Sequence, residues 1–215
     1  ILTRAVNYYR HFLTEGADKR LHLPSTQSPE YANAEDCSYD LSLLRWGASR
    51  LLELAAEKNL DSSSEPLISE WTDIQNRLVP LHANANGIMI GKNKELTSSH
   101  RHWSHLISIY PLRTLTPLTK ANRDLIETSL DHWHSFSRAL QGYSFTGGAC
   151  IAASLGDGER ALSLLNGLKP YLRPNTMYRE SGPVMETPLH GATAMQEMLL
   201  QSWGGTLRVF PAVPA

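Results

Sequence analysis

Apolar residues recur at steps of three and four in six separate segments of this 215-residue chain, and some intervals between segments run to about twenty residues. Val6, Tyr9 and Leu13 mark the first stripe. Leu41, Leu44, Ala48, Leu51, Leu52 and Ala55 mark a longer one, with Asp40 placed to cap its start. Leu67, Trp71, Ile74 and Leu78 follow and are closed by Pro80; Leu125, Ser129, Trp133, Phe136 and Leu140 come next, with Asn122 or Asp124 near the start. Ala161, Leu164, Leu165 and Leu168 end at Pro170, and Ala192, Met195, Met198 and Leu199 end at Gly204-Gly205. Period-two alternation is confined to 206–209. The spacing therefore predicts a mostly helical, all-α chain. Paired helices with long polar loops converging at one end describe an α/α toroid with a cleft at its mouth.

Composition narrows the partners. A formal charge of -1 and a pI near 6.8 leave no basic stripe for nucleic acid or an anionic membrane surface. No run approaches the roughly 18 apolar residues of a membrane span. Cys37 and Cys150 are too few and too far apart for a disulfide framework, and read as small buried residues. A 41% hydrophobic chain of this length can bury one sizeable core, so residues 1–215 are expected to form a single helical domain. The chain opens on Ile1-Leu2-Thr3-Arg4 inside a helix-like pattern and stops on Phe210-Pro211-Ala212-Val213-Pro214-Ala215, which reads as one segment of a larger protein.

The unusual chemistry lies in the connections, at 21–40, 82–105 and 171–190. In the stretch His100-Arg101-His102-Trp103-Ser104-His105-Leu106, three of the nine histidines fall within six residues. Imidazoles bring polar atoms that must find partners if buried. Such density suits a cleft wall, where His and Arg hold hydroxyls or a carboxylate and an indole offers an apolar face. It also suits a group of hydrogen-bonded structural histidines, and the H-x-H pair His100/His102 suits a metal given further ligands. Of the five tryptophans, only Trp103 lies in a polar motif; the others sit at core spacing or at the chain's end.

Two acidic loops accompany the histidines. In Pro24-Ser25-Thr26-Gln27-Ser28-Pro29-Glu30-Tyr31, the prolines stiffen the segment and present Glu30 as a general-acid candidate, or as a solvated loop residue. Near the last stripe, Glu186 lies between Met185 and Thr187-Pro188. Negative charge is favoured there by the helix N-terminus, so Glu186 or Thr187 is read equally as a cap.

Three of these motifs, taken in order, resemble glycoside hydrolase family 95. They are 24–30, 100–106, and Gly191-Ala192-Thr193 through Glu197-Met198-Leu199-Leu200-Gln201-Ser202. The likeness covers essentially the whole chain. It implies an (α/α)6 toroid, incomplete at its N-terminal side, flanked in the full-length protein by β domains. It also implies an oligosaccharide or polysaccharide substrate, an L-fucose- or L-galactose-like sugar, no cofactor, no resident metal, and an extracellular or periplasmic setting. Glu30 falls on the family's general acid. His100, Arg101, His102, Ser104 and His105 fall on its histidine-rich motif. The family's water-orienting aspartate stands four residues before the glycine matching Gly191, where this chain has Thr187, with Glu186 one residue earlier. The family's glutamate-tryptophan pair has no counterpart in 87–91.

This yields an expected mechanism. Glu30, its pKa raised by apolar neighbours and a nearby negative charge, is the acid, and Glu186 the base or water-orienter. His100, Arg101, His102, Trp103, His105, Thr187 and His190 are candidate substrate contacts. Two rivals stand beside it: a non-catalytic carbohydrate-binding remnant, and a metal-dependent hydrolase using His100, His102 and His105.

Overall fold

The computed structural model describes residues 1–174, 178–182 and 184–215; the 171–190 loop singled out above is therefore described except at 175–177 and 183. Seven α-helices dominate the described residues, joined by small two-stranded sheets. The chain divides into two compact units: residues 1–84, 88–95 and 104–108 form the first, and 85–87, 96–103 and 109–215 the second.

In the first unit, α1 (Leu2–Arg10) packs on α2 (Ser38–Glu57), and α2 pairs with α3 (Leu67–Arg77). The apolar steps read in the sequence become one face here. Val6, Leu41, Leu44, Ala48, Leu51, Trp71, Ile74 and Leu78 share a core with Leu23 and Val79. Fully burying such side chains stabilises by roughly 1.5–3 kcal/mol each. Gly47 lets α1 approach, since a Cβ there would stand 2.8 Å from a Val6 methyl. Asp40 is not the cap of α2. The helix begins two residues earlier, at Ser38, and Asp40 is buried in its first turn, accepting the Thr26 hydroxyl at 2.6 Å.

Between α1 and α2 the chain forms two short hairpins, β1 (Thr14–Glu15) with β2 (Leu21–His22) and β3 (Thr26–Gln27) with β4 (Asn33–Ala34). After α3 come two short extended pieces, β5 (Ala83–Asn84) and β6 (Gly87–Ile88), and then a 3₁₀ turn at Ser104–Leu106.

The second unit is built around α5 (Gly142–Leu155), which packs against α4 (Lys120–Ser135), α6 (Gly158–Asn166) and α7 (Glu186–Leu199). Ala149, Cys150, Ile151, Ala152 and Ala153 are wholly buried. Small residues on every side let three helices close on this one. Thr119 caps α4, its hydroxyl accepting the Asn122 N–H, so Asn122 and Asp124 lie near the start as expected. Gly204-Gly205 forms the turn of a hairpin between β7 (Leu200–Trp203) and β8 (Thr206–Val209), so the strand expected at 206–209 has a partner directly before it. Among the described residues no helix is long and apolar enough to cross a membrane.

Candidate active site

Glu30 sits at the tip of the β3–β4 hairpin. The Tyr31 N–H donates to Ser28 O at 3.0 Å, closing a four-residue turn with Pro29 second and Glu30 third. Proline fixes a negative φ at the second position, while Glu30 has φ of 59°. That combination is a type II turn, whose third position favours glycine or asparagine. A glutamate there costs of order 1–3 kcal/mol of backbone strain, and such outliers cluster at functional sites. The turn is anchored below its exposed tip. Ser28 is buried, its N–H donates to Ala32 O at 2.8 Å, and its hydroxyl lies 2.8 Å from that of Ser104. Ser104 opens the 3₁₀ turn that also buries His105 and Leu106. Within the first unit, then, the Glu30 turn and the end of the histidine motif are brought together by one buried hydroxyl pair.

The beginning of that motif belongs to the second unit. His100 is buried and its carbonyl accepts the Trp133 indole N–H at 2.7 Å; the Arg101 carbonyl accepts the Ser144 hydroxyl at 2.7 Å. Arg101 Nε–H donates to His102 Nε2 at 3.1 Å, so that nitrogen carries the lone pair and the His102 proton sits on Nδ1. The His100 and His102 rings are 5.4 Å apart, and His102 meets the edge of Tyr143 at 5.5 Å.

Trp103 was expected to offer a face to a sugar, and it does not. It is 6% exposed and donates its indole N–H to Tyr110 O at 3.0 Å. Its ring lies parallel to that of His190 at 5.3 Å and against Tyr143 at 4.6 Å. Gly147 on α5 makes room: any Cβ there would overlap the indole. Trp103 is thus a support that holds His190 and Tyr143, because an apolar ring this large gains more by packing than by facing water.

His190, on α7, has both nitrogens engaged. Nδ1 lies 2.8 Å from the Thr146 hydroxyl, which donates to Tyr143 O at 2.9 Å. The imidazole proton therefore sits on Nδ1, and Nε2 faces the Cys150 thiol at 3.6 Å. Burial pushes the His190 pKa down and the Cys150 thiol up to about 12, so both are neutral. Beside them Arg113 and Glu197 pair at 2.5 Å, with the guanidinium 5.0 Å from the Tyr110 ring centre. Burial raises the Glu197 pKa and lowers that of Arg113, each partly countered by the other's charge.

Glu186 lies at the first position of α7 rather than ahead of it. It is exposed, and its Oε2 accepts the Met185 N–H at 3.1 Å. Thr187 turns inward and is 1% exposed. Glu30 belongs to the first unit and Glu186 to the second. Among the described residues no three His, Cys, Asp or Glu side chains are grouped as a metal ion requires, the histidine-rich motif included.

Tyr143, Thr146 and Arg113 escaped the sequence reading. Gly147-Gly148 was the available signal, because adjacent glycines inside an apolar run mark a place where something bulky approaches the backbone.

The chain matches the family model described as the glycosyl hydrolase family 95 catalytic domain over residues 1–199. No curated protein matches it at a significant level. The match covers nearly the whole chain and includes the Glu30 turn, the histidine motif and the start of α7. The chain therefore belongs to glycosyl hydrolase family 95, and what it carries is the catalytic domain of a glycosidase.

Proposed function

We propose that this chain hydrolyses glycosidic bonds with inversion, removing an L-fucose- or L-galactose-like residue from an oligosaccharide or polysaccharide. Residues 1–215 then form one domain, the helical toroid of the family, with β domains flanking it in the full-length protein. Glu30 protonates the departing glycosidic oxygen. Glu186 orients or deprotonates the water that attacks the opposite face of the sugar. Such a mechanism needs the two carboxyl groups roughly 6.5–9.5 Å apart, leaving room for that water. Arg101 and His102 bind the sugar, while His100, Trp103, His105, Thr187 and His190, buried or with their polar atoms engaged, shape the subsite from within.

The observation that carries this reading is the backbone of Glu30. A glutamate held at φ of 59° in a proline turn, over a buried Ser28–Ser104 contact, occupies a position where turn geometry favours glycine or asparagine. Replacing Glu30 by Gln keeps the turn and removes the proton. Glu30→Gln should lower kcat/KM by about 10²–10⁴-fold on a fucosyl or galactosyl substrate with an unchanged melting temperature. Full activity in that variant would sink the assignment. The released sugar, followed by NMR, should appear first as the inverted anomer.

A second reading is favoured by one feature. Thr187 stands where the resemblance asks for an aspartate, and the Glu186 carboxylate folds back onto the Met185 N–H. If these leave water unactivated, the chain binds glycans without cleaving them. Saturable glycan binding with no product from any fucosyl or galactosyl substrate would select it.

A further inference from the structure

The first unit holds a second group of titratable side chains, sharing no residue with the site above. The turn between β1 and β2 begins at Gly16, where a Cβ would stand 2.8 Å from Asp18 Oδ1 and from the His22 ring. Asp18 Oδ1 accepts the Arg20 N–H at 3.0 Å and faces His22 Nε2 at 3.1 Å. The other ring nitrogen, Nδ1, lies 2.7 Å from Asp36 Oδ2. The same oxygen lies 3.3 Å from His82 Nε2, and Asp36 Oδ1 accepts the Leu23 N–H at 2.9 Å. One carboxylate, 1% exposed, therefore orients two imidazoles and a loop. Lys92 pairs with Glu35 at 3.1 Å.

The backbone around this group is strained without the help of glycine. Lys19, Asp36 and Asn93 have φ of 61°, 48° and 54°. Such conformations persist only where the surroundings over-determine them. Together these segments line an open cavity of about 590 Å³, with Asp18, His22, Glu35, His82 and Lys92 as polar groups and Leu23 and Val79 as apolar ones. That volume falls within the range of small-molecule sites.

We propose that this cavity is a second carbohydrate site, taking a neutral sugar residue of a glycan. The inference rests on the carbohydrate-processing reading above. Its cationic groups are already engaged: His22 stands between Asp18 and Asp36, and Lys92 stands against Glu35. An anionic ligand would have to displace one of these partners. A sugar need not, because each hydroxyl both donates and accepts. Carboxylate oxygens and N–H donors held in fixed positions meet it without further ordering, which keeps the entropic cost of binding low. Leu23 and Val79 suit the C–H face of the ring.

The test titrates the ¹⁵N-labelled 215-residue chain with L-fucose, L-galactose and D-galactose, each alone, following the amides of Gly16, Leu23 and Asp36. Saturable shifts are expected with at least one sugar, and they should survive Glu30→Gln. Lys92→Ala and Glu35→Gln, which alter an exposed pair, should weaken that binding roughly tenfold at an unchanged melting temperature. Silence at these amides with all three sugars, shifts lost on Glu30→Gln, or shifts untouched by both pocket variants would overturn the proposal. Pocket shifts without hydrolysis keep this site and count against the catalytic reading. Hydrolysis with a silent pocket does the reverse.

Discussion

Gly147 fixes where Trp103 can stand. A methyl at that position gains about 1 kcal/mol of helix propensity but drives into the indole, an overpacking that costs 1–3 kcal/mol or more in a filled core. The neighbouring Gly148 is equally committed, with its missing Cβ 2.7 Å from His134 Nε2. Gly147→Ala should therefore destabilise the protein by about 1–2 kcal/mol and loosen the Trp103–His190 stack. Thermal unfolding and tryptophan fluorescence would register both; a stabilised Gly147→Ala would show that the indole has room to move. Neither this contact nor the φ of Glu30 is written locally. Ser-Pro-Glu-Tyr announces a stiff turn, but the left-handed position in such a turn is normally signalled by glycine or asparagine, and here a glutamate hides it. His190 was legible as a residue of interest, but the engagement of both its nitrogens depends on Thr146 and Cys150, 44 and 40 residues upstream.

Among the elements, legibility followed amphipathicity. The helices with one wet face, α1, α2, α3, α4, α6 and α7, showed their stripes, with ends misjudged by a few residues. The helix that left no trace is α5, the centre of its unit. It is buried nearly all round, so Gly142-Tyr143-Ser144-Phe145-Thr146-Gly147-Gly148 has no polar face to set a period against. The β1–β2 hairpin was unreadable for another reason: it is held by His22 and its carboxylates rather than by strand alternation. This makes it sensitive to pH in both directions. The Asp36 hydrogen bond, and then that of Asp18, raise the His22 pKa, so that anchor is fully present below about 6.5 and is lost as pH rises through the folded value. The Arg20 N–H, then His22, lower the Asp18 pKa, so that anchor is present above about 3.8 and is lost as pH falls through its folded value. Protection of the Leu23 amide, corrected for intrinsic exchange, should peak in the mildly acidic window between them. A profile flat from pH 4 to 8 would refute this.

At the scale of the whole molecule, the helix-rich class and the family were legible, because both rest on patterns spread along the chain. The weaving of the two units was not. Residues 104–108 belong with residues 1–84, and the Ser28–Ser104 contact that helps tie them spans 76 positions without a local signal. Global stability has its own titrating centre in His134. Burial pushes its pKa down to about 4, and its Nε2 is buried without a hydrogen-bond partner among the described residues. A histidine depressed in this way opposes folding once protonated. Its neutral form contributes fully above the unfolded value near 6.5, and that contribution is lost as pH falls toward 4, by about 3 kcal/mol. Chemical denaturation at pH 7 and pH 4 should show the loss, and His134→Phe should remove much of it. Equal acid sensitivity in that variant would assign the loss to other groups.

With Glu30 as the proposed acid, position 30 answers to two demands that disagree. A stability screen would favour glycine or asparagine there, since either relaxes a left-handed residue in a proline turn, and it would reward the change wherever catalysis went unmeasured. A lineage that no longer cleaves its sugar would be free to drift the same way. Glu30 is therefore where the two demands can be separated: Glu30→Asn should raise the melting temperature and lose the hydrolysis proposed above.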